Sequence, residues 1–200
     1  MGGHTLPVPG PRRGPLSAGG GAAVIPTRLD GTRLRACARD LAALLVDTVA
    51  AGSSVGFLAS LDLADAETWW TGRAEAVDGG HLAVWAAYDG EHVVGTVSLA
   101  FADKPNSRHR AEVVKLMVHP RARGRGLGRT LLTAAETAAA DAGITLLHLD
   151  TETGSPAERL YGSAGWTRAG VIPDYATSPD GEPRPTTIYY KRLGVPAPTR

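Results

Sequence analysis

The chain has 200 residues, of which 43% are hydrophobic and 20% are charged, and its formal net charge is +1. This composition excludes a chain that is disordered throughout, and the small net charge excludes binding of nucleic acid by the whole surface. No apolar run approaches the ~20 residues of a membrane helix. The single cysteine, Cys37, excludes an internal disulfide and a zinc site built from cysteines. We therefore expect a cytoplasmic protein without nucleic-acid or membrane partners.

The beginning of the chain differs in composition from the remainder. Residues 1–22 contain seven glycines and four prolines, which disfavour regular structure and bury little apolar surface. We expect residues 1–23 to be a disordered Gly/Pro-rich tail and residues 24–195 to form a single domain.

Hydrophobic periodicity and turn residues predict the elements of this domain in chain order. The predicted helices are Thr32–Ala51, a second from an Asp62 cap to Val77, Leu127–Ala142, and a short helix from a Ser155 capping box to Gly165. The predicted strands are Val24–Leu29, His81–Tyr88, His92–Ala102, Arg110–Val118, Ile144–Leu149, Trp166–Ile172 and Thr186–Leu193. The order β-αα-βββ-α-β-α-β-β indicates an α/β (α+β) fold. Its mixed sheet contains one parallel crossover between residues 110 and 150.

A turn rich in glycine and arginine connects the fourth strand to the following helix. It reads Arg123-Gly124-Arg125-Gly126-Leu127-Gly128-Arg129. Glycines allow backbone N–H groups to converge on one point, and the helix start adds free amides and a positive dipole end, so the turn suits a pyrophosphate. A dinucleotide fingerprint fails because Arg129 and Leu131 stand where its third glycine is needed, and a Walker loop fails because the chain has no Gly-Lys. An RNA-binding RGG segment would be repeated in disordered sequence. A basic exposed turn remains the alternative.

With R-x-x-G-x-G at this position, the chain resembles the GNAT superfamily of N-acetyltransferases, and Leu160–Trp166 resembles that family's L-Y-x-x-x-G-F segment. The resemblance implies acetyl-CoA as co-substrate and a sheet whose fourth and fifth strands splay apart. Where the family often has Asn, this chain has Gly154, beside Ser155. The resemblance implies that acetyl-CoA contacts Leu116, Met117, Val118, Arg123, Gly124, Arg125, Gly126, Leu127, Gly128, Arg129, Thr130 and Ser155.

Further segments resemble the tabtoxin-resistance acetyltransferases, which acetylate the amino group of a β-lactam-containing amino acid toxin. These segments are Ser54–Phe57, Arg110–Val118, Leu147–Glu152 and Pro185–Tyr190. This resemblance implies a small amino-acid-like toxin or antibiotic as acceptor, similar to tabtoxinine-β-lactam, and a role in resistance. A protein N-terminus or lysine remains an alternative acceptor, and an acyl-CoA-binding module without turnover is a third hypothesis. A homodimer is left open.

Two carboxylates are candidates for the general base, because an ammonium group must lose a proton before it attacks a thioester. Glu112 lies in a strand whose neighbours on the same face, Val114 and Leu116, are apolar and would favour the neutral carboxyl. Asp150 ends the next parallel strand. Both match acidic residues of the tabtoxin-resistance active site. The alternatives are an ion pair of Glu112 with Arg108 or Arg110, and a loop cap for Asp150.

The resemblance also implies that Tyr161 is the general acid for the departing thiolate, although a tyrosine at this position could instead belong to the core. Backbone N–H groups near Val118 would polarise the thioester carbonyl. The resemblance further implies that the loops Ser53–Leu61 and Pro173–Pro183 close over the amine pocket. Phe57, Asp174 and Tyr175 are therefore possible substrate contacts. We expect Trp69, Trp70 and Trp85 to be core residues, and we expect no metal because the histidines lie at no ligand spacing.

Overall fold

The computed structural model describes residues 24–194, so the predicted tail lies outside the described residues. The domain is built on a seven-stranded sheet of order β1-β2-β3-β4-β5-β7-β6. Its strands are β1 (Thr27–Leu29), β2 (Leu82–Asp89), β3 (His92–Phe101), β4 (Arg110–Val118), β5 (Leu146–Glu152), β6 (Thr167–Thr177) and β7 (Pro183–Arg192). Its helices are α1 (Gly31–Ala36), α2 (Ala38–Ala50), α3 (Leu63–Thr71), α4 (Ala74–Asp78), α5 (Leu127–Asp141) and α6 (Pro156–Ser163).

The two helices predicted after β1 are four in the structure. The first is interrupted at Cys37, whose backbone leaves the helical region (φ −105°, ψ 10°), so that α1 and α2 pack separately. The second begins as expected, because the Asp62 carboxylate accepts a hydrogen bond of 2.8 Å from the Asp65 N–H. It ends early at Gly72, a residue with low helix propensity, and resumes as α4.

Layers of helix cover both faces of the sheet. One core contains α5 residues such as Leu131 and β5 residues such as Leu147, both fully buried. The other contains Leu41 of α2 and Trp70 of α3. Burial of each such side chain contributes about 1.5–3 kcal/mol relative to exposure. Within residues 24–194, no helix combines the length and apolar character needed to cross a membrane.

The parallel pair β4–β5 opens as the resemblance implies. Only Arg110–Glu112 of β4 pairs with β5, opposite Leu146–His148. Beyond that point β4 continues along β3, and β5 continues along β7. The edges of β4 and β5 that face each other are therefore free to line a cleft, and the predicted mixed fold with splayed strands is confirmed.

A β-bulge interrupts β4 at the opening of this cleft. Val114 pairs with Ser98 and Met117 pairs with Thr96, so Lys115 and Leu116 together stand opposite one residue of β3. Lys115 has φ 54°, a left-handed conformation that is uncommon for a residue with a side chain. The bulge turns Leu116 toward the α5 core, whereas Met117 packs in the core of α1–α4. The prediction that Leu116 shares a face with Glu112 is therefore wrong.

Candidate active site

A cavity of about 1910 Å³ lies where β4 and β5 separate. Its wall comes from the α2–α3 loop, β4, the glycine-rich turn with α5, the β5–α6 turn and the β6–β7 hairpin. The structure brings together in this wall most of the sequence-predicted site residues: Phe57, Leu116, Met117, Val118, Arg123, Gly124, Gly126, Leu127, Gly128, Arg129, Thr130, Asp150, Ser155, Tyr161 and Tyr175. Glu112, Arg125 and Asp174 are not among the residues that line it.

The glycine-rich turn needs glycine for its backbone conformation. Gly124 and Gly126 have φ values of 75° and 79°, which side chains other than glycine adopt at a cost. A Cβ at either position would meet no atom within 4 Å, so the space beside these two residues is open. Gly126 is also the N-cap of the 15-residue helix α5 and offers no side-chain cap to its first amides. These free N–H groups and the open space beside them suit the pyrophosphate of acetyl-CoA.

Two arginines of this turn have partners within the protein. The Arg123 guanidinium donates to the Val118 carbonyl at 3.0 Å, which braces the turn against the end of β4. Arg129 donates to the Ser163 hydroxyl at 2.6 Å, which links α5 to α6. Each contact uses one of the five N–H donors of its guanidinium, so the arginines as well as the backbone amides of the turn can bind phosphate oxygens.

The β5–α6 turn places Ser155 in the wall as a helix cap. Its hydroxyl accepts a hydrogen bond of 3.2 Å from the Glu158 N–H, and Glu158 in turn accepts one of 2.5 Å from the Gly154 N–H. This second bond is the main cause that lowers the pKa of Glu158. The predicted capping box is therefore present, with the Gly154 amide in place of the usual N-cap amide.

The two carboxylates occupy different positions relative to the cavity. Asp150 is exposed in the wall, on the part of β5 that has left β4. Glu112 lies at the last β4–β5 pair, opposite His148. Among the described residues neither carboxylate forms an ion pair, and Arg110 instead lies 3.0 Å from the His148 ring. The structure therefore gives no support to the two alternatives, an ion pair for Glu112 and a loop cap for Asp150.

Tyr161 belongs both to the core and to the cavity wall. The residue is 5% exposed, with its ring 5.9 Å from that of Trp166 and 6.1 Å from that of Tyr189. Burial, and next the charge of Asp150, raise the pKa of its hydroxyl above the ordinary tyrosine value. The phenol therefore keeps its proton at neutral pH, as a proton donor must.

Lys115 is a residue of the wall that sequence reasoning missed. Its ammonium donates a hydrogen bond of 2.8 Å to the Val55 carbonyl and lies 5.5 Å and 5.4 Å from the ring centroids of Phe57 and Trp69. Burial, and next the charge of Arg73, lower its pKa, while Asp150 and Glu112 act in the opposite direction. If side chains alternated strictly between the two faces of β4, Lys115 would lie on the face that is buried against α5. A charged side chain at such a position is the sequence signal that indicates the bulge.

The two segments predicted to cover the amine pocket contact each other. The Ala59 N–H donates to the Pro179 carbonyl at 2.8 Å, and the Ser54 hydroxyl donates to the Thr177 carbonyl at 3.4 Å. Pro173–Pro183 is not a loop, because pairing with β7 continues as far as Thr177 and Pro183. It consists of the end of β6, a short turn and the start of β7.

The tryptophans divide between the core and the surroundings of Lys115. Trp70 and Trp85 are buried, at 0% and 5% exposure, as expected of core residues. Trp69 is half-buried, with its ring edge-on to that of Phe57 at 5.3 Å. Within residues 24–194, no group of three or more His, Cys, Asp or Glu side chains is arranged to hold a metal ion.

Comparisons with known proteins identify the family of this chain. The sequence model of the Acetyltransferase (GNAT) family matches residues 53–166, which is more than half of the chain. A ribosomal-protein-alanine N-acetyltransferase from Brucella melitensis is 26% identical, with a TM-score of 0.66 over 80% of this chain and 96% of its own. A phosphinothricin acetyltransferase from Sinorhizobium meliloti, solved with acetyl-CoA, is 19% identical, with a TM-score of 0.72 over 88% and 92% of the two chains. The chain therefore belongs to the GNAT family of acetyltransferases.

Proposed function

We propose that the enzyme transfers the acetyl group to the primary amine of a small amino-acid-like molecule. The class we favour is a toxin or antibiotic similar to tabtoxinine-β-lactam, acetylated in the cytoplasm as a means of resistance. The observation that carries the proposal is the Ala59–Pro179 hydrogen bond, which joins the two segments to each other. The same segments contribute Phe57, Leu58 and Tyr175 to the cavity wall, and we take this part of the cavity as its acceptor end. A peptide would have to pass between these segments, whereas a small amine needs only the space beneath them.

Resemblance supports the same acceptor class. The segments Arg110–Val118 and Leu147–Glu152, which resemble the tabtoxin-resistance enzymes, contain the parts of β4 and β5 that border the splay. A phosphinothricin acetyltransferase shares the fold. These similarities favour a small amine as acceptor and leave its identity to experiment.

We assign the proton transfers to three side chains. Asp150, with Glu112 as the second candidate, takes the proton from the acceptor ammonium, directly or through water. The Tyr161 hydroxyl provides a proton at the leaving sulfur. The acetyl thioester itself comes from bound acetyl-CoA, held by the amides of the Gly126 turn. Backbone N–H groups near Val118, on the edge of β4 that β5 has left, hold the thioester oxygen.

A protein N-terminus is the second candidate acceptor, and one observation favours it. The Brucella melitensis relative, whose name states that it acetylates the alanine of a ribosomal protein, is the more similar in sequence of the two structures described above. The two candidates differ in the width of the entrance that they need between residues 53–61 and the β6–β7 hairpin.

Release of free thiol from acetyl-CoA tests the proposal. The acceptors to compare are free amino acids, β-lactam amino acids, aminoglycosides and alanine-initiated peptides, each at the same concentration. We expect turnover with amino acids or β-lactam amino acids and little with peptides. Efficient turnover with peptides alone would replace the small-molecule proposal by the second candidate.

A further inference from the structure

Lys115 brings a positive charge to the acceptor end of the cavity. The bulge in β4 directs it there, and its backbone occupies a left-handed conformation (φ 54°) to do so. The ammonium has one hydrogen bond, to Val55. Among the described residues, no carboxylate lies within ion-pair distance of it. An ammonium has three N–H donors, so the Val55 bond leaves two for a ligand.

The surroundings of Lys115 carry charges of both signs. Arg73 stacks on Trp69, one of the two rings beside Lys115, with its guanidinium carbon 3.9 Å from the Trp69 ring centroid. Its charge and that of Lys115 repel, which makes the region near Lys115 favourable for an anion. Asp150 lies in the same cavity wall and is exposed to it. The wall therefore offers a cationic and an anionic group to one small ligand.

We propose that Lys115 binds a carboxylate of the acceptor while the amine of the same molecule lies toward Asp150. The acceptor is then a zwitterion of the amino-acid class, and Lys115 is a specificity-determining residue. This inference rests on the proposed function and narrows it, because an aminoglycoside or another polyamine has no carboxylate to place at Lys115.

Two other roles for Lys115 are distinguishable by substitution. If Lys115 only ties residues 53–61 to β4, then Lys115→Gln, which retains an N–H donor for Val55, should perform better than Lys115→Met. If Lys115 acts as a base, both variants should lower kcat for every acceptor and regain activity at high pH. If it binds a carboxylate, both variants should lose the same preference for carboxylate acceptors, and Lys115→Arg should retain part of it.

The experiment compares amino acids with their carboxamides as acceptors of the full-length enzyme. The probes are L-serine with L-serinamide, L-threonine with L-threoninamide, and L-methionine with L-methioninamide. We expect Lys115→Met and Lys115→Gln to raise the KM of the acids by about 10- to 100-fold, in line with loss of a charged hydrogen bond. The KM values of the amides and of acetyl-CoA should change less than about threefold. Lys104→Met, which changes an exposed lysine outside the cavity, is the matched control and should behave as wild type.

Equal losses for acids and amides, or a loss confined to Lys115→Met, would overturn the inference. Absence of turnover with all six probes and with every small amine would instead refute the proposed function. In that case, calorimetric titration of L-threonine into the CoA-saturated protein decides the inference. Binding to wild type that is lost in Lys115→Gln supports it, and absence of binding to wild type overturns it.

Discussion

The ammonium nitrogen of Lys115 lies 2.8 Å from the carbonyl oxygen of Val55, and this hydrogen bond joins the bulge of β4 to the α2–α3 loop. The lysine thereby spans the acceptor end of the cavity, from the sheet to one of the segments that cover it. Removing an ammonium from water costs free energy that a single neutral acceptor does not fully offset. We therefore expect Lys115 to lower the free energy of unfolding while it contributes to binding of the acceptor.

The stability cost of Lys115 has a definite dependence on pH. Because the pKa of Lys115 is lowered in the folded state, the unfolded chain binds more protons at this residue between the folded and unfolded pKa values. Stability therefore rises with pH up to the ordinary lysine value of about 10.4. The free energy of unfolding of wild type minus that of Lys115→Met should therefore be larger at pH 10 than at pH 7, because wild type gains stability over this range and the methionine variant does not. Urea titrations of both proteins at the two pH values measure this difference in unfolding free energy. A difference that does not change with pH would mean that Lys115 is solvated in the folded state.

The phosphate-binding turn is tested by Gly126→Val. A side chain at Gly126 would project into the open space where phosphate oxygens approach, so we expect the Kd for CoA to rise at least tenfold. Gly143→Val is the matched control, because Gly143 has the same φ of 79° and the same open surroundings but lies after the other end of α5. Calorimetry should show that the control binds CoA normally. If both variants lose the same affinity for CoA, the cause is backbone strain and not obstruction of the phosphate site.

The candidate bases are tested by Asp150→Asn and Glu112→Gln. We expect Asp150→Asn to lower kcat/KM by about 10²- to 10⁴-fold, with partial recovery at high pH, where the acceptor amine is already neutral. A smaller effect is expected of Glu112→Gln, because Glu112 does not line the cavity. The Kd for CoA should stay near the wild-type value in both. If both amides retain full activity at pH 7, the base is water or another residue.

The candidate acid should respond to pH in a different way. Tyr161→Phe removes a proton donor, so we expect kcat to fall without recovery at high pH. Because burial raises the pKa of Tyr161, the wild-type enzyme should not lose activity through this phenol until the pH exceeds about 10. Tyr189→Phe changes a neighbouring buried ring that does not line the cavity, and it serves as the control. Equal pH–rate profiles for Tyr161→Phe and Tyr189→Phe would contradict the assignment of Tyr161 as the general acid.

Elements with strong local signals could be predicted from the sequence. The boundaries of β4 agree with the prediction, and the caps at Asp62 and Ser155 are present because a short polar side chain satisfies free amides within its own turn. The glycine-rich turn can be predicted for a similar reason, since its conformation requires glycine at fixed positions.

Features that depend on contacts across the fold could not be predicted. The bulge at Lys115 contains no glycine to mark it, and its one sequence signal is a lysine at a position that strict alternation would bury. It moves Leu116 to the other side of β4. The hydrogen bond between Ala59 and Pro179 joins two segments that are distant in sequence, through backbone atoms that every residue carries. Both features shape the acceptor end of the cavity, which is why the sequence specified the acetyl donor better than the acceptor.

The most direct measurement is a competition between two acceptors in one reaction. Wild-type enzyme receives acetyl-CoA with equal concentrations of L-threonine and a peptide that begins with alanine, and mass spectrometry quantifies the two acetylated products. We expect acetyl-threonine to exceed the acetylated peptide by at least tenfold, and Lys115→Gln to reduce that ratio. A product mixture dominated by the acetylated peptide would contradict the assignment of a small zwitterionic acceptor.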